Sequence, residues 1–208
     1  MKNIVVAGTG TGVGKTLVAT ILAEALEADY WKPVQAGSLS FSDTDYVRHF
    51  ITNTKSYFHP EVYRLAYSMS PHAAAEKEEL KIEVDQLTPP KSANRILIEP
   101  AGGLMVPLND EYLNIDLIQR WRLPVILVSK TYLGSINHTL MSITVLKKYG
   151  VKIAGIIFNG EKNESAERAI LQYSGVKYIG RLREEKKIDK KTVLMYAEKF
   201  RKRLEGVI

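Results

Sequence analysis

Short apolar runs of strand length alternate along this chain with stretches in which apolar residues return every three or four positions. The runs fall at 3–8, 30–34, 95–99, 124–129, 152–159 and 177–180. Several are apolar without interruption, as strands covered on both faces must be. Helical spacing predicts helices over 14–28, 44–50, 115–120, 135–149, 164–173 and 189–204. Alternation of this kind implies an α/β three-layer sandwich, a mostly parallel central sheet with helices on its faces. Residues 53–93 break the rhythm with Pro60, Pro71, Pro89 and Pro90, and separate two strands by more than a crossover needs. They read as an insertion that covers a site.

Composition narrows the class. A chain of 208 residues has room for one full-sized domain, taken here as 1–208. Its 45% hydrophobic and 25% charged residues belong to a packed globular protein and exclude disorder. The net charge of +6 favours small anions as readily as nucleic acid, and the basic stretch of the last helix reads as a solvated face, so no nucleic-acid partner is expected. Cysteine is absent, which removes disulfides, thiolate metal ligands and thiol chemistry. The opening run Ile4-Val5-Val6-Ala7 is too short for a leader or a membrane span. A cytoplasmic protein without a membrane partner is expected. Neither His49 nor His59 stands at metal-ligand spacing from another His, Asp or Glu.

Chemistry first shows at the end of the first strand. Gly8-Thr9-Gly10-Thr11-Gly12-Val13-Gly14-Lys15-Thr16 leads into a helix beginning at Leu17. Small residues let successive backbone N–H groups converge on phosphate oxygens, and the helix N-terminus adds a favourable dipole. Lys15 is placed for the outer phosphates and the Thr16 hydroxyl for Mg²⁺. The loop is a variant, since the first glycine of G-x-x-x-x-G-K-T would fall on Thr9 and stands instead at Gly8. Nucleoside triphosphate binding follows, but not the reaction, because switches, partitioning ATPases and small synthetases all use such loops. The guanine-reading Asn-Lys-x-Asp of GTPases is absent, and the second, signature lysine of partitioning ATPases is replaced by Gly10.

Other strand ends carry charge. Ile96-Leu97-Ile98 delivers Glu99 beside the loop, where a carboxylate completes a Mg²⁺ site. In Ser42-Asp43-Thr44-Asp45 either aspartate can be the second carboxylate; Asp45 is taken as the ligand and Asp43 as the helix cap. Lys32, near the end of the second strand and followed by the stiffening Pro33, is either a surface lysine or a group facing the crevice of a parallel sheet. Gly134-Ser135-Ile136-Asn137 opens a helix after Lys130 and is either an anion site or an ordinary turn capped by Ser135.

Taken together with Trp31-Lys32-Pro33-Val34-Gln35, Ser70-Pro71-His72-Ala73, Glu99-x-Ala101-Gly102-Gly103, Val106-Pro107-Leu108 and Leu133-Gly134-x-Ile136-Asn137-His138, the loop resembles that of the dethiobiotin synthetases, in order and spacing, from Asn3 to about Asn159. The resemblance implies a P-loop fold, ATP as co-substrate, Mg²⁺, and closure of a cyclic urea on 7,8-diaminopelargonate with CO₂ in a homodimer. It implies Lys15, Lys32 and Thr11 in catalysis; Gly12, Val13, Gly14, Lys15, Thr16, Leu17 and Asn159 on the nucleotide; and Thr16, Asp45 and Glu99 on the metal. It also implies Lys32, Ala36, Pro71, His72, Gly134, Ser135, Ile136 and Asn137 on the diamine, the last four as a carboxylate clamp reaching a neighbouring subunit's site. Departures from the family pattern are Gly10 for Asp, Pro100 for Gly, Ala36 for a hydroxyl residue, and Arg181-Leu182-Arg183 without the family's proline turn. A nucleotide switch or partitioning-type ATPase is the rival reading.

Overall fold

The computed structural model describes residues 3–204 and 206. In chain order the elements are β1 (Ile4–Gly8), α1 (Lys15–Leu26), β2 (Asp29–Trp31), β3 (Val34–Ala36), α2 (Asp43–Phe50), β4 (Phe58–His59), β5 (Tyr63–Leu65) and α3 (Pro71–Lys77). There follow β6 (Ile96–Ile98), α4 (Asn114–Trp121), β7 (Val125–Lys130), α5 (Ser135–Lys148), β8 (Ile153–Asn159), α6 (Glu164–Ser174), β9 (Tyr178–Leu182) and α7 (Lys190–Leu204). Seven strands form one sheet in the order β4-β2-β6-β1-β7-β8-β9. Every pairing in it is parallel. All the carboxyl ends therefore open on one edge, where crevice residues of parallel sheets collect.

The uninterrupted apolar runs are explained by what covers them. On one face, Val18, Ile21 and Leu22 of α1, Val47 of α2, and Val193 and Phe200 of α7 pack on Val6, Tyr30, Ile126 and Ile157. On the other, Ile115 and Ile118 of α4, Ile143 of α5 and Ile170 of α6 pack on Val5, Ala7, Ile98, Leu127 and Phe158. The three-layer α/β sandwich is thus built as its pattern predicts.

The expected strand 30–34 is in fact two strands in two sheets. Proline has no N–H for a ladder, and the chain breaks at Lys32-Pro33. β2 stays in the main sheet, whereas β3 leaves it to pair in parallel with β5. The irregular 53–93 segment supplies that partner together with β4 and α3. Val34, Leu65, Ala74, Ile82 and Leu87 bury a small core of their own beside Leu117. Strands of two or three residues carry no readable period, which is why the segment looks structureless in sequence. Packed this way, it forms a wall beside the carboxyl edge of β2.

Candidate active site

The loop after β1 turns back on itself through Gly12 (φ 70°) and Gly14 (φ 94°), conformations that favour glycine. Gly14 has a second reason to lack a side chain: a Cβ there would lie 2.2 Å from the Asn159 amide nitrogen. That nitrogen donates to the Val13 carbonyl at 2.9 Å, tying the loop to the end of β8. Gly14 also caps α1 without any side-chain hydrogen bond, so the first amides of the helix face the cavity unclaimed.

Around this cradle the charged groups meet. Lys15 is 6% exposed and its Nζ donates to the Gly10 carbonyl at 2.9 Å. Burial pushes its pKa down to about 8, with the carboxylate of Glu99 opposing the drop. The Thr16 hydroxyl donates to Glu99 Oε1 at 2.9 Å. Lys32 Nζ lies 3.4 Å from the same oxygen and forms an ion pair with Asp43. Burial opposes the Lys32 charge, yet the two carboxylates outweigh it and hold the pKa above the usual lysine value. Lys32 therefore stays protonated across the neutral range; it is a donor and a positive charge, not a base. Tyr30 donates to Glu99 Oε2 at 2.8 Å, and burial raises its phenol well above the usual range, so it too remains a donor.

These groups line a cavity of about 600 Å³. Of the residues singled out in the sequence, Thr11, Gly12, Gly14, Lys15, Thr16, Lys32, Ala36, Pro71 and Glu99 border it. Val13 and Leu17 instead pack into the core beneath the loop. The second carboxylate is a correction. Asp45 accepts from the Ser42 backbone N and Oγ and pairs with Arg48, completing a capping box at the start of α2. Ser42 is the cap, and Asp43, one position into the helix, is the aspartate that faces the cavity. Both lie in the first turn but point roughly 200° apart around the helix axis, so the rotation of α2 about that axis decides which one faces the cavity.

His72 is also displaced. Successive helical residues point roughly 100° apart, so Pro71 borders the cavity while His72 borders a separate space of about 280 Å³ with Leu80, Ile82 and Leu108. Gly134, Ser135, Ile136 and Asn137 line yet another cavity, of about 880 Å³, on the β7–β8 side of the same edge. Ser135 is not the cap of α5; Gly134 is, at φ 95° and without a side-chain hydrogen bond. Leu133 beside it is fully exposed, and Tyr132 and Ile136 are partly so. Ser38 and Ser68 also border the cavity, as do Gln35 and Ser70, which stand in sequence motifs but were given no role from the sequence. Gln35 accepts from the Asp43 backbone and donates to the Gly37 carbonyl, holding two wall turns together. A glutamine between apolar strand residues was the available signal.

Among the described residues no cluster of three or more His, Cys, Asp or Glu side chains could by itself hold a metal ion. The donors that do converge are hard oxygens: Thr16 Oγ1 and the carboxylates of Glu99 and Asp43. Such a partial set fits Mg²⁺, which takes its remaining ligands from phosphate and water. No helix among the described residues is long and apolar enough to cross a membrane.

The parallel sheet, the glycine loop and the Lys15-Thr16 pair at its head define a P-loop nucleotide-binding protein of the α/β class. The fold matches a plasmid partition protein of Borrelia burgdorferi bound to AMPPNP, with TM-score 0.64 and 14% identity, covering 100% of this chain and 99% of that one. It also matches the septum site-determining protein MinD of Pyrococcus horikoshii complexed with Mg-ADP, with TM-score 0.60 and 18% identity, covering 100% and 96%. At such identities the likeness concerns the fold alone. A family model described as an AAA domain matches residues 2–192. Among curated relatives, the ATP-dependent dethiobiotin synthetase of Christiangramia forsetii is 49% identical over 98% of either chain. That of Cytophaga hutchinsonii is 46% identical over 96% of this chain and 97% of its own. The chain belongs to the ATP-dependent dethiobiotin synthetases, a family of ATP-dependent ligases of biotin synthesis.

Proposed function

We propose that this protein closes the ureido ring of dethiobiotin from 7,8-diaminopelargonate, CO₂ and ATP. The observation that supports this most is the meeting of Lys15, Lys32, Thr16, Asp43 and Glu99 at one cavity of about 600 Å³ at the head of the phosphate loop. One neutral amine forms a C–N bond with CO₂ and loses a proton, giving a carbamate. A carbamate oxygen then bonds to the γ-phosphorus as the bond to the β–γ bridging oxygen breaks and ADP leaves. Finally the second amine, also neutral, attacks the carbamoyl carbon and gives up a proton to the departing phosphate as the C–O bond to phosphate breaks, which leaves the ring closed. Negative charge gathers on oxygen at every stage.

Lys32 meets that charge as a fixed ammonium, donating to the carbamate and the transferring phosphoryl group. Lys15 exchanges the Gly10 carbonyl for the outer phosphates. Thr11 lines the reacting phosphate, and the amides from Gly12 to Leu17 receive the others. Thr16, Asp43 and Glu99 would hold Mg²⁺, which when bound neutralises the β- and γ-phosphates. Asn159, with its amide nitrogen committed to Val13, keeps its carbonyl oxygen for the amino group of the base. Ala36 and Pro71 border the diamine. Positioning both amines beside a short-lived anhydride can lower the barrier by roughly 7–11 kcal/mol in favourable cases.

The substrate carboxylate goes to the N-terminus of α5 in a partner subunit, where the Gly134 cap brings no side-chain hydrogen bond. Exposed Leu133, Tyr132 and Ile136 next to that turn support a homodimer seated there. ATP as co-substrate and a cysteine-free sequence accord with the cytoplasm. Incubation with labelled CO₂, ATP and the diamine is expected to give an acid-stable labelled product; hydrolysis of ATP without diamine and no incorporation would instead identify a partitioning-type ATPase.

The two aspartates give a sharper check. Asp43→Asn is expected to lower turnover by about 10²-fold through loss of a metal carboxylate. Asp45→Asn should leave turnover within about two-fold and cost about 1 kcal/mol of stability as the capping box weakens. Steady-state rates and thermal melts on the two variants decide it; equal activities would return the ligand role to neither residue.

A further inference from the structure

One polar group at this site has no part in the mechanism above. Tyr30 is wholly buried, and its ring packs with Val18, Ile21 and Leu97 in the core beneath α1. Its hydroxyl lies 2.8 Å from Glu99 Oε2. The other oxygen of that carboxylate, Oε1, accepts from Thr16 and lies 3.4 Å from Lys32. One oxygen is thus spent inward and the other is turned to the cavity. The placement follows from the strand: residues two apart share a face, so Tyr30 and Lys32 approach from one side. Glu99, whose backbone N–H donates to the Trp31 carbonyl, stands across the ladder from both. A phenylalanine would fill the same apolar space, so packing does not call for the hydroxyl.

We infer that Tyr30 is a positioning residue for Glu99: its phenol fixes the plane of the carboxylate so that Oε1 alone faces Thr16, Lys32 and the metal-bearing side of the cavity. The inference rests on the reading of the site given above. Without the phenol, a carboxylate that is 1% exposed has an oxygen without a donor and is free to turn both oxygens toward Lys32. The ammonium then competes with whatever else Oε1 serves.

Tyr30→Phe tests this. ATP binding is measured by calorimetry in EDTA and in Mg²⁺, and turnover alongside. The Mg²⁺-dependent gain in ATP affinity is expected to shrink by about ten-fold and kcat to fall by about ten-fold, the range for loss of a group that orients a metal ligand. Affinity for ATP in EDTA and KM for the diamine should stay within about two-fold. A variant that melts earlier but keeps the wild-type gain and kcat overturns the inference, leaving the phenol a packing group only. If Tyr30→Phe does not fold, it is compared within Glu99→Gln, where no buried ion is left without a donor. There its removal is expected to change neither quantity, and a further ten-fold loss (roughly that of an oriented donor) would show the phenol acting independently of Glu99. A wild-type protein whose ATP affinity ignores Mg²⁺ overturns the reading of the site and this inference with it; a responsive wild type matched by Tyr30→Phe overturns only the inference.

Discussion

Lys32→Ala is expected to lower the rate of ring closure by about 10²- to 10³-fold, the usual consequence of removing a donor aimed at developing oxyanion charge. It should also cost about 3 kcal/mol of stability, the low end for breaking a buried ion pair. The low end applies because Glu99 keeps Tyr30 and Thr16 as donors, and the Asp43 side chain, 32% exposed, can turn to water. For a chain of this size the loss corresponds to a melting temperature lower by about 10 °C. The pH dependence has a definite sign. The pKa of Lys32 is raised on folding, so its contribution is complete below the ordinary lysine value and fades only as pH rises through the higher folded value. Melts of wild type and variant between pH 6 and pH 9 should therefore run parallel on account of this group, and turnover should be low at each. Near-normal turnover would remove Lys32 from the mechanism.

Lys15→Met is expected to move stability the other way. With its pKa pushed from 10.5 down to about 8, the charged Lys15 costs the folded state about 3 kcal/mol below pH 8. Methionine is of similar length and needs no water. After loss of the Gly10 hydrogen bond, worth about 1 kcal/mol, the variant should gain about 2 kcal/mol at neutral pH. Between about 8 and 10.5 the unfolded chain holds the extra proton, so wild-type stability rises with pH and the gap to the variant closes. The gain in stability comes with loss of function: ATP affinity should fall by about 10²-fold as a charge-assisted contact to phosphate disappears. In the wild type, ATP binding is expected to weaken as pH rises above 8 and to be coupled there to proton uptake, because phosphate favours the ammonium. Calorimetry in buffers of different ionisation heat reads that uptake directly. A variant no more stable than wild type at pH 7 would show that burial does not strain Lys15. Two neighbouring lysines thus carry opposite signs: at Lys15 burial outweighs the pull of Glu99 and Asp43, whereas at Lys32 the same two carboxylates, in direct contact, outweigh burial.

Order along the chain was enough for the phosphate loop, since strand, glycines, Lys15-Thr16 and helix are contiguous and each dictates its own local geometry. The layered sheet was equally legible from Val5, Ile98, Leu127 and Ile157, whose uninterrupted apolar runs admit only a strand covered on both faces. Glu99 and Lys32 were legible as strand ends, because the carboxyl edge of a parallel sheet gathers them by topology alone.

What sequence could not decide were choices between neighbours and meetings between distant segments. Asp43 and Asp45 have the same chemistry in the same turn; only the docking of α2 decides which one reaches Lys32 and which closes a capping box with Ser42. Pro71 and His72 are parted by one helical step, and the run 30–34 divides at Pro33 because a partner strand lies in a segment without readable period. The bond from Tyr30 to Glu99 spans 69 residues. The chain by itself determined which groups would stand at the edge of the sheet, because strand direction and loop chemistry are local. Only tertiary packing decided which of their atoms face one another, since that depends on helix rotation and on cores formed by residues far apart in sequence.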